Sequence, residues 1–194
     1  MFDEIINNRD LNKYLSSKCN ENNIEAKICS KLVCNDDYLV VKVDNYYNNY
    51  PFKKKQIPKS IDCLIPIKCK IPKRKNIKKD IYNLYLIELK NIKSPQGFKI
   101  KDIEEKFKTT IDDFLKDRFK NLFDFEINNF YCYFISDPYG VKLKKRYKSI
   151  TQEEYEKLFK SYNLRYYRRT ILFKYKNKIS MIKPVLPNPT ICNC

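Results

Sequence analysis

The sequence contains no histidine. That absence removes Ser-His-Asp and Cys-His nucleophile systems, histidine-ligated metal nucleases and Cys₂His₂ fingers, each of which needs an imidazole. A tyrosine-recombinase pocket, which normally includes a histidine, goes with them. Only two glycines occur, Gly97 and Gly140, so neither a Walker loop nor a dinucleotide fingerprint can be assembled. No apolar run approaches the roughly 18–20 residues that cross a bilayer. The opening MFDEIINNRD lacks the basic-then-apolar order of a secretory signal. The expectation is a soluble, intracellular protein with no membrane association. Eight cysteines are present without a single C-x-x-C pair, so no zinc site is expected. Cys63 and Cys132 fall in apolar runs, where a free thiol is an ordinary core residue. Without a signal segment, disulfides are not expected either. Any chemistry is left to carboxylates, lysines, tyrosines or cysteines.

What is present is a chain of 194 residues, 43% hydrophobic, which is enough to bury a real core in one domain. Lys and Arg number 40 against 23 Asp and Glu, giving +17, a field that attracts polyanions and nucleic acid above all. Thirty-three of the 40 are lysine. With Asn, Ile, Tyr and Phe also abundant, an A/T-heavy codon usage accounts for part of that charge.

The hydrophobic pattern sets out an α/β fold with a mixed central sheet and flanking helices. Phe2, Ile5, Ile6, Leu11, Tyr14 and Leu15 predict a helix over 1–18. Strands are expected at 26–33 and 38–44, then at SIDCLIPIKC, which Pro66 and Pro72 make short or leave at an edge at its far end. LYLIELK is a further strand, and Ile103, Phe107, Ile111 and Phe119 mark an amphipathic helix over 101–120. A strand over 128–136 and a DPYG turn follow. Thr151 and Glu154 form a capping box opening a helix over 151–162. A hairpin over 170–185 precedes a loosely held tail.

The residues that carry chemistry lie in two neighbouring strands. In YLIELK, strand alternation points Glu88 and Lys90 to one face and Tyr85, Ile87 and Leu89 to the other. Asp62 stands in the preceding strand, 25 residues separating it from Glu88. If those strands pair, two hard oxygen donors converge at one sheet end, a set suited to Mg²⁺ or Mn²⁺ with water and a substrate phosphate completing the shell. Lys90 can then hold a water or stabilise charge on a phosphate.

This arrangement, IDCLI followed by YLIELK between an N-terminal helix and a helix–strand pair, resembles the PD-(D/E)xK (restriction-endonuclease-like) nuclease superfamily over residues 1–136. Ile61 stands where the name-giving proline would be. The resemblance implies an α-β-β-β-α-β core, metal binding by Asp62 and Glu88, and a catalytic role for Lys90. It also implies metal ligation by the backbone carbonyl of Leu89, and by Glu4 as the glutamate many members take from their first helix. Residues 137–194 are then a basic C-terminal extension packed on that core, carrying the final helix and hairpin.

Basic clusters fit a substrate grip: Lys53, Lys54 and Lys55; Lys73 and Arg74; Lys144, Lys145 and Arg146; and Arg165, Arg168 and Arg169 around Tyr166 and Tyr167. In the last, guanidinium groups suit phosphates and the tyrosine rings suit bases. The expectation is a metal-dependent endonuclease cutting phosphodiester bonds, in DNA rather than RNA, with homodimerisation compatible but carried by no residue. The competing class is a non-catalytic nucleic-acid-binding or virus–host interaction protein on the same fold. A third is a structural protein whose basicity reflects codon usage.

Overall fold

The computed structural model describes residues 1–51, 57–69, 80–91, 99–136, 150–162 and 171–192. In chain order the first elements are α1 (Phe2–Ile6), β1 (Leu15–Ser16), β2 (Cys19–Glu21), β3 (Ile24–Ile28), α2 (Ser30–Val33), β4 (Val40–Lys42) and α3 (Val43–Asn49). Then come β5 (Cys63–Cys69), β6 (Ile81–Lys90), and α4 (Ile100–Thr109), which runs on as a π-helical segment Thr110–Arg118. The chain closes with β7 (Glu126–Ser136), α5 (Gln152–Tyr162), β8 (Leu172–Tyr175), β9 (Lys178–Val185) and β10 (Thr190–Ile191).

Seven strands form one mixed sheet in the order β1-β4-β5-β6-β7-β9-β8. β5 and β6 pair antiparallel from Cys63↔Ile87 to Cys69↔Ile81, and β6 pairs parallel with β7 as far as Lys90↔Ser136. β6 is thus central, and nine of its ten residues are buried, as expected of a strand covered on both faces. One face carries Leu64, Leu84 and Leu86 against Val43, Phe107, Ile111, Phe114 and Phe123 from the helical side. The other carries Cys63, Ile65, Tyr85, Ile87 and Leu89 against Ile24, Ala26 and Ile191. Those last residues belong to a small second sheet ordered β10-β3-β2.

With so few glycines, asparagine takes three of the five left-handed backbone positions among the described residues, with Asp36 and Lys176 in the others. Asn22 and Asn23, at φ 46° and 67°, make the two-residue turn between β2 and β3, which suits a hairpin whose central residues both need positive φ. Asn188, at φ 58°, accepts the Glu25 N–H on its side chain at 3.0 Å.

The LYLIELK strand, the helix from 101, the 128–136 strand, the final hairpin and the capping box are found as expected. Thr151 N–H donates to Glu154 Oε2 at 2.8 Å, and Glu154 N–H donates to Thr151 Oγ1 at 3.2 Å.

Other expectations are corrected. The helix over 1–18 stops at Ile6, because Asn8 Oδ1 accepts from the Asp10 and Leu11 N–H groups at 3.0 and 3.1 Å and turns the chain. The strand over 26–33 ends at Ile28 and passes into the short α2. The strand over 38–44 lasts three residues before α3 begins. Val43, Tyr46 and Tyr47 give α3 its period, all three buried on one face, but poor helix formers such as Asn dilute that signal. β5 is interior, not an edge: Pro66 needs no N–H there, and its carbonyl accepts from Leu39 N–H at 3.2 Å. The tail is held by β10, parallel to β3. The described strands of 137–194 therefore enter both sheets.

The expectation that every cysteine is reduced is also corrected. Cys19 on β2 and Cys63 on β5, both fully buried, form a disulfide with Cα atoms 6.0 Å apart. The small sheet packs β2 directly over the start of β5, which a sequence separation of 44 residues conceals. Cys132 is a buried free thiol.

Candidate active site

Asp62 is held at the head of β5 by hydrogen bonds to and around its backbone. Its carbonyl accepts from Val43 N–H at 3.0 Å, the preceding Ile61 N–H donates to Thr110 Oγ1 at 3.3 Å, and its own Oδ2 accepts from Leu89 N–H at 2.5 Å. The last of these crosses directly to β6, between Glu88 and Lys90. The two acids therefore meet at one end of the sheet, as strand pairing required.

Both carboxylates are buried, Asp62 at 5% and Glu88 at 0% exposure. Burial raises the Asp62 pKa well above the usual carboxylate range, and the Glu88 charge raises it further. Glu88 is pushed up to about 7, again first by burial, with Lys106 and Lys90 pulling the other way. Two acids that each make ionisation of the site harder need a cation.

One cation is supplied by the fold. Lys106 Nζ on α4 donates to Glu88 Oε1 at 2.6 Å. Burial works against the ammonium charge, but Glu88 and Asp62 outweigh it and raise the Lys106 pKa. The other oxygen, Glu88 Oε2, is buried and has no hydrogen-bond partner among the described residues. Lys90 lies half-buried at the strand end, and among the described residues it makes no ion pair.

Lys106 is the site residue that the sequence pattern hides, since it groups with the polar face of its helix. The available signal is its spacing: it follows Ile103 by three residues, alongside the buried stripe of Ile103 and Phe107. Thr110, where the helix changes to π geometry, also faces inward and donates to the Lys106 carbonyl at 2.9 Å. Glu21 is hidden too. It is exposed on β2, and its charge acts on Asp62, Glu88 and Lys106 alike. Asn91 Nδ2 donates to Asn22 O at 2.7 Å, clamping the β2–β3 turn to the end of β6. Asp44, in the first turn of α3, has a buried Oδ1 without a partner among the described residues and is acted on by Lys42 and Lys106.

Glu4 does not join this group. It is exposed, bridging the chain's first ammonium at 3.6 Å, and its charge acts on Tyr82. Tyr82 precedes Glu88 by six strand residues, about 20 Å along β6. The Leu89 N–H is committed to Asp62. Lys53, Lys54, Lys55, Lys73, Arg74, Lys144, Lys145, Arg146, Arg165, Tyr166, Tyr167, Arg168 and Arg169, and the DPYG turn, lie outside the described residues.

The residue set fits a hard divalent cation in one respect: two buried carboxylates, one with an unpartnered oxygen, offer oxygen donors at a sheet end. Among the described residues, no three carboxylates or thiols gather closely enough to hold a metal alone. The remaining ligands would have to be water, backbone or substrate oxygens.

Neither a family model, nor a curated protein, nor a solved structure matches this chain. Among the described residues, no helix is long and apolar enough to cross a membrane.

Proposed function

We propose that the protein is a metal-dependent endonuclease, hydrolysing phosphodiester bonds in nucleic acid, with DNA favoured over RNA. The observation that carries this reading is the buried Asp62–Glu88 pair on adjacent strand ends, with Glu88 Oε2 lacking a partner among the described residues. Asp62 and Glu88 would hold Mg²⁺ or Mn²⁺, with the Leu89 carbonyl as the further ligand implied by the resemblance to PD-(D/E)xK nucleases. Such an ion, once bound, supplies a water of lowered pKa and polarises a phosphoryl oxygen. Lys90, at the same end and without an ion pair to any described residue, would donate to the attacking water or to a phosphate oxygen.

Two further features support it. Along the chain, β4, β5 and β6 form an antiparallel series, followed by α4 and the parallel strand β7, as in the β-β-β-α-β part of the superfamily core. Charge is also segregated. Of the 40 basic and 23 acidic residues, 22 of each sign belong to the described residues, which are therefore neutral in sum. The entire +17 lies in 52–56, 70–79, 92–98, 137–149 and 163–170. Asn91 and Ser136, from which two of these segments depart, stand at the Lys90 end of the sheet. An excess of positive charge in the chain suits a polyanion whose backbone is to be cut.

A second reading has its own observation. Glu88 already holds Lys106 at 2.6 Å, so a non-catalytic nucleic-acid-binding module could keep the same residues as an internal ion pair. Incubation with single- and double-stranded DNA and RNA, in Mn²⁺, Mg²⁺ or EDTA, separates the two. The nuclease reading requires cutting that depends on metal and disappears in Asp62→Ala while binding survives. Binding without cutting in every metal, indifferent to EDTA, would establish the module.

A further inference from the structure

The ion pair between Lys106 and Glu88 is unequal. The Glu88 side chain is 1% exposed, whereas that of Lys106 is 25% exposed. Of the two partners, the ammonium is the one with a side open to solvent. Glu88 offers one oxygen to Lys106 and keeps the other unpartnered among the described residues. Asp62, Glu88 and Glu21 all act on the same ammonium, so Lys106 stands where the negative potential of this sheet end converges. Lys90 differs in kind: it follows Glu88 on the strand and pairs with no described acid.

We propose that Lys106 is the resident counter-cation of this site, holding the place a divalent ion would take between Asp62 and Glu88. Metal loading is then an exchange: the ammonium withdraws along its exposed side as the ion arrives. This rests on the metal-binding reading of the site. The two lysines divide the work, Lys106 neutralising the acids before loading and Lys90 remaining for water or phosphate. A fold built this way stays stable without metal, because its buried carboxylate is never left alone. It accepts metal less tightly than the bare acid pair would, since every ion must displace a charge already in place.

The test uses the wild-type chain first. Lysine acylation followed by peptide mass spectrometry, with and without Mn²⁺, reads the accessibility of each amine, while calorimetry reads Mn²⁺ binding on the same sample. Mn²⁺ is expected to raise Lys106 labelling several-fold, leaving Lys59 and Lys116 unchanged. Lys106→Met is expected to bind Mn²⁺ about tenfold more tightly than wild type and to melt at higher temperature when Mn²⁺ is added. Lys90→Met and Lys106→Arg are expected to keep wild-type affinity. Mn²⁺ bound with Lys106 labelling unchanged, or equal affinity in Lys106→Met, overturns the exchange while leaving the metal site standing. No Mn²⁺ bound by wild type or Lys106→Met overturns the metal reading itself, and the exchange with it. If Lys106→Met fails to fold, the labelling measurement on wild type decides alone.

Discussion

Asp62 and Leu89 are joined across two strands by a 2.5 Å hydrogen bond from backbone N–H to carboxylate. This bond does more than pin the acid. The register of β5 on β6, with Cys63 opposite Ile87, brings Asp62 level with Glu88, and the bond reaches on to the N–H of the residue between Glu88 and Lys90, so all three candidate groups are set by that register. A slip of one residue would turn Glu88 from the helical face to the small-sheet face.

The buried acids make stability depend on pH. Glu88 has an ordinary value of 4.5 and titrates near 7 in the fold, and Asp62 shifts in the same direction. Between those values the folded chain binds more protons than the unfolded one, so stability is fully present below about 4.5 and falls as pH rises through 7. Urea midpoints measured in EDTA should decline from pH 5 to 8. Glu88→Gln should flatten that decline, and Mn²⁺ should blunt it if it binds the ionised pair as proposed.

Lys90→Ala should lower cleavage by about a hundredfold without changing the melting temperature, since the wild-type side chain makes no ion pair with a described residue. Mn²⁺ affinity and nucleic-acid affinity should stay near wild type. Single-turnover cleavage beside calorimetry checks both halves, and a loss of Mn²⁺ binding would move Lys90 into the metal site.

The Cys19–Cys63 disulfide ties β2 to the residue after Asp62. Reduction, or Cys19→Ser, should destabilise the fold by about 2–4 kcal/mol, read by denaturation with and without dithiothreitol. Because β2 also carries Glu21, Mn²⁺ affinity should change with it, whereas alkylating exposed Cys34 should alter neither.

Because the described residues are neutral in sum, salt should act on nucleic-acid binding through the basic segments. Replacing Lys53, Lys54 and Lys55 with Gln should reduce the slope of log K against log salt by about 0.9 for each phosphate no longer neutralised. Folding stability should not follow. Binding titrations across a range of salt concentrations would show it.

The acids were legible because a charge inside an apolar run is a local anomaly, visible in YLIELK and IDCLI without knowing any neighbour in space. Their partners were not. Lys106 is one of many lysines in and around α4, and only the rotation of that helix against the sheet brings it to Glu88. Glu21 reaches the site through the Asn91–Asn22 clamp, which spans 69 residues of sequence. The disulfide, α3 and β10 escape a sequence reading for the same reason: long-range packing selects them over the local pattern.

The pairing of β10 with β3, and of β9 with β7, has a consequence in time. A ribosome releases Ile24–Ile28 some 160 residues before the strand that flanks them. β7 likewise waits on one side for Lys178–Val185. The nascent chain must therefore carry open strand edges until residues 178–191 have been made. A chain stopped before residue 172 would lack two of the seven main-sheet strands, β8 and β9, and would leave β7 as an open edge.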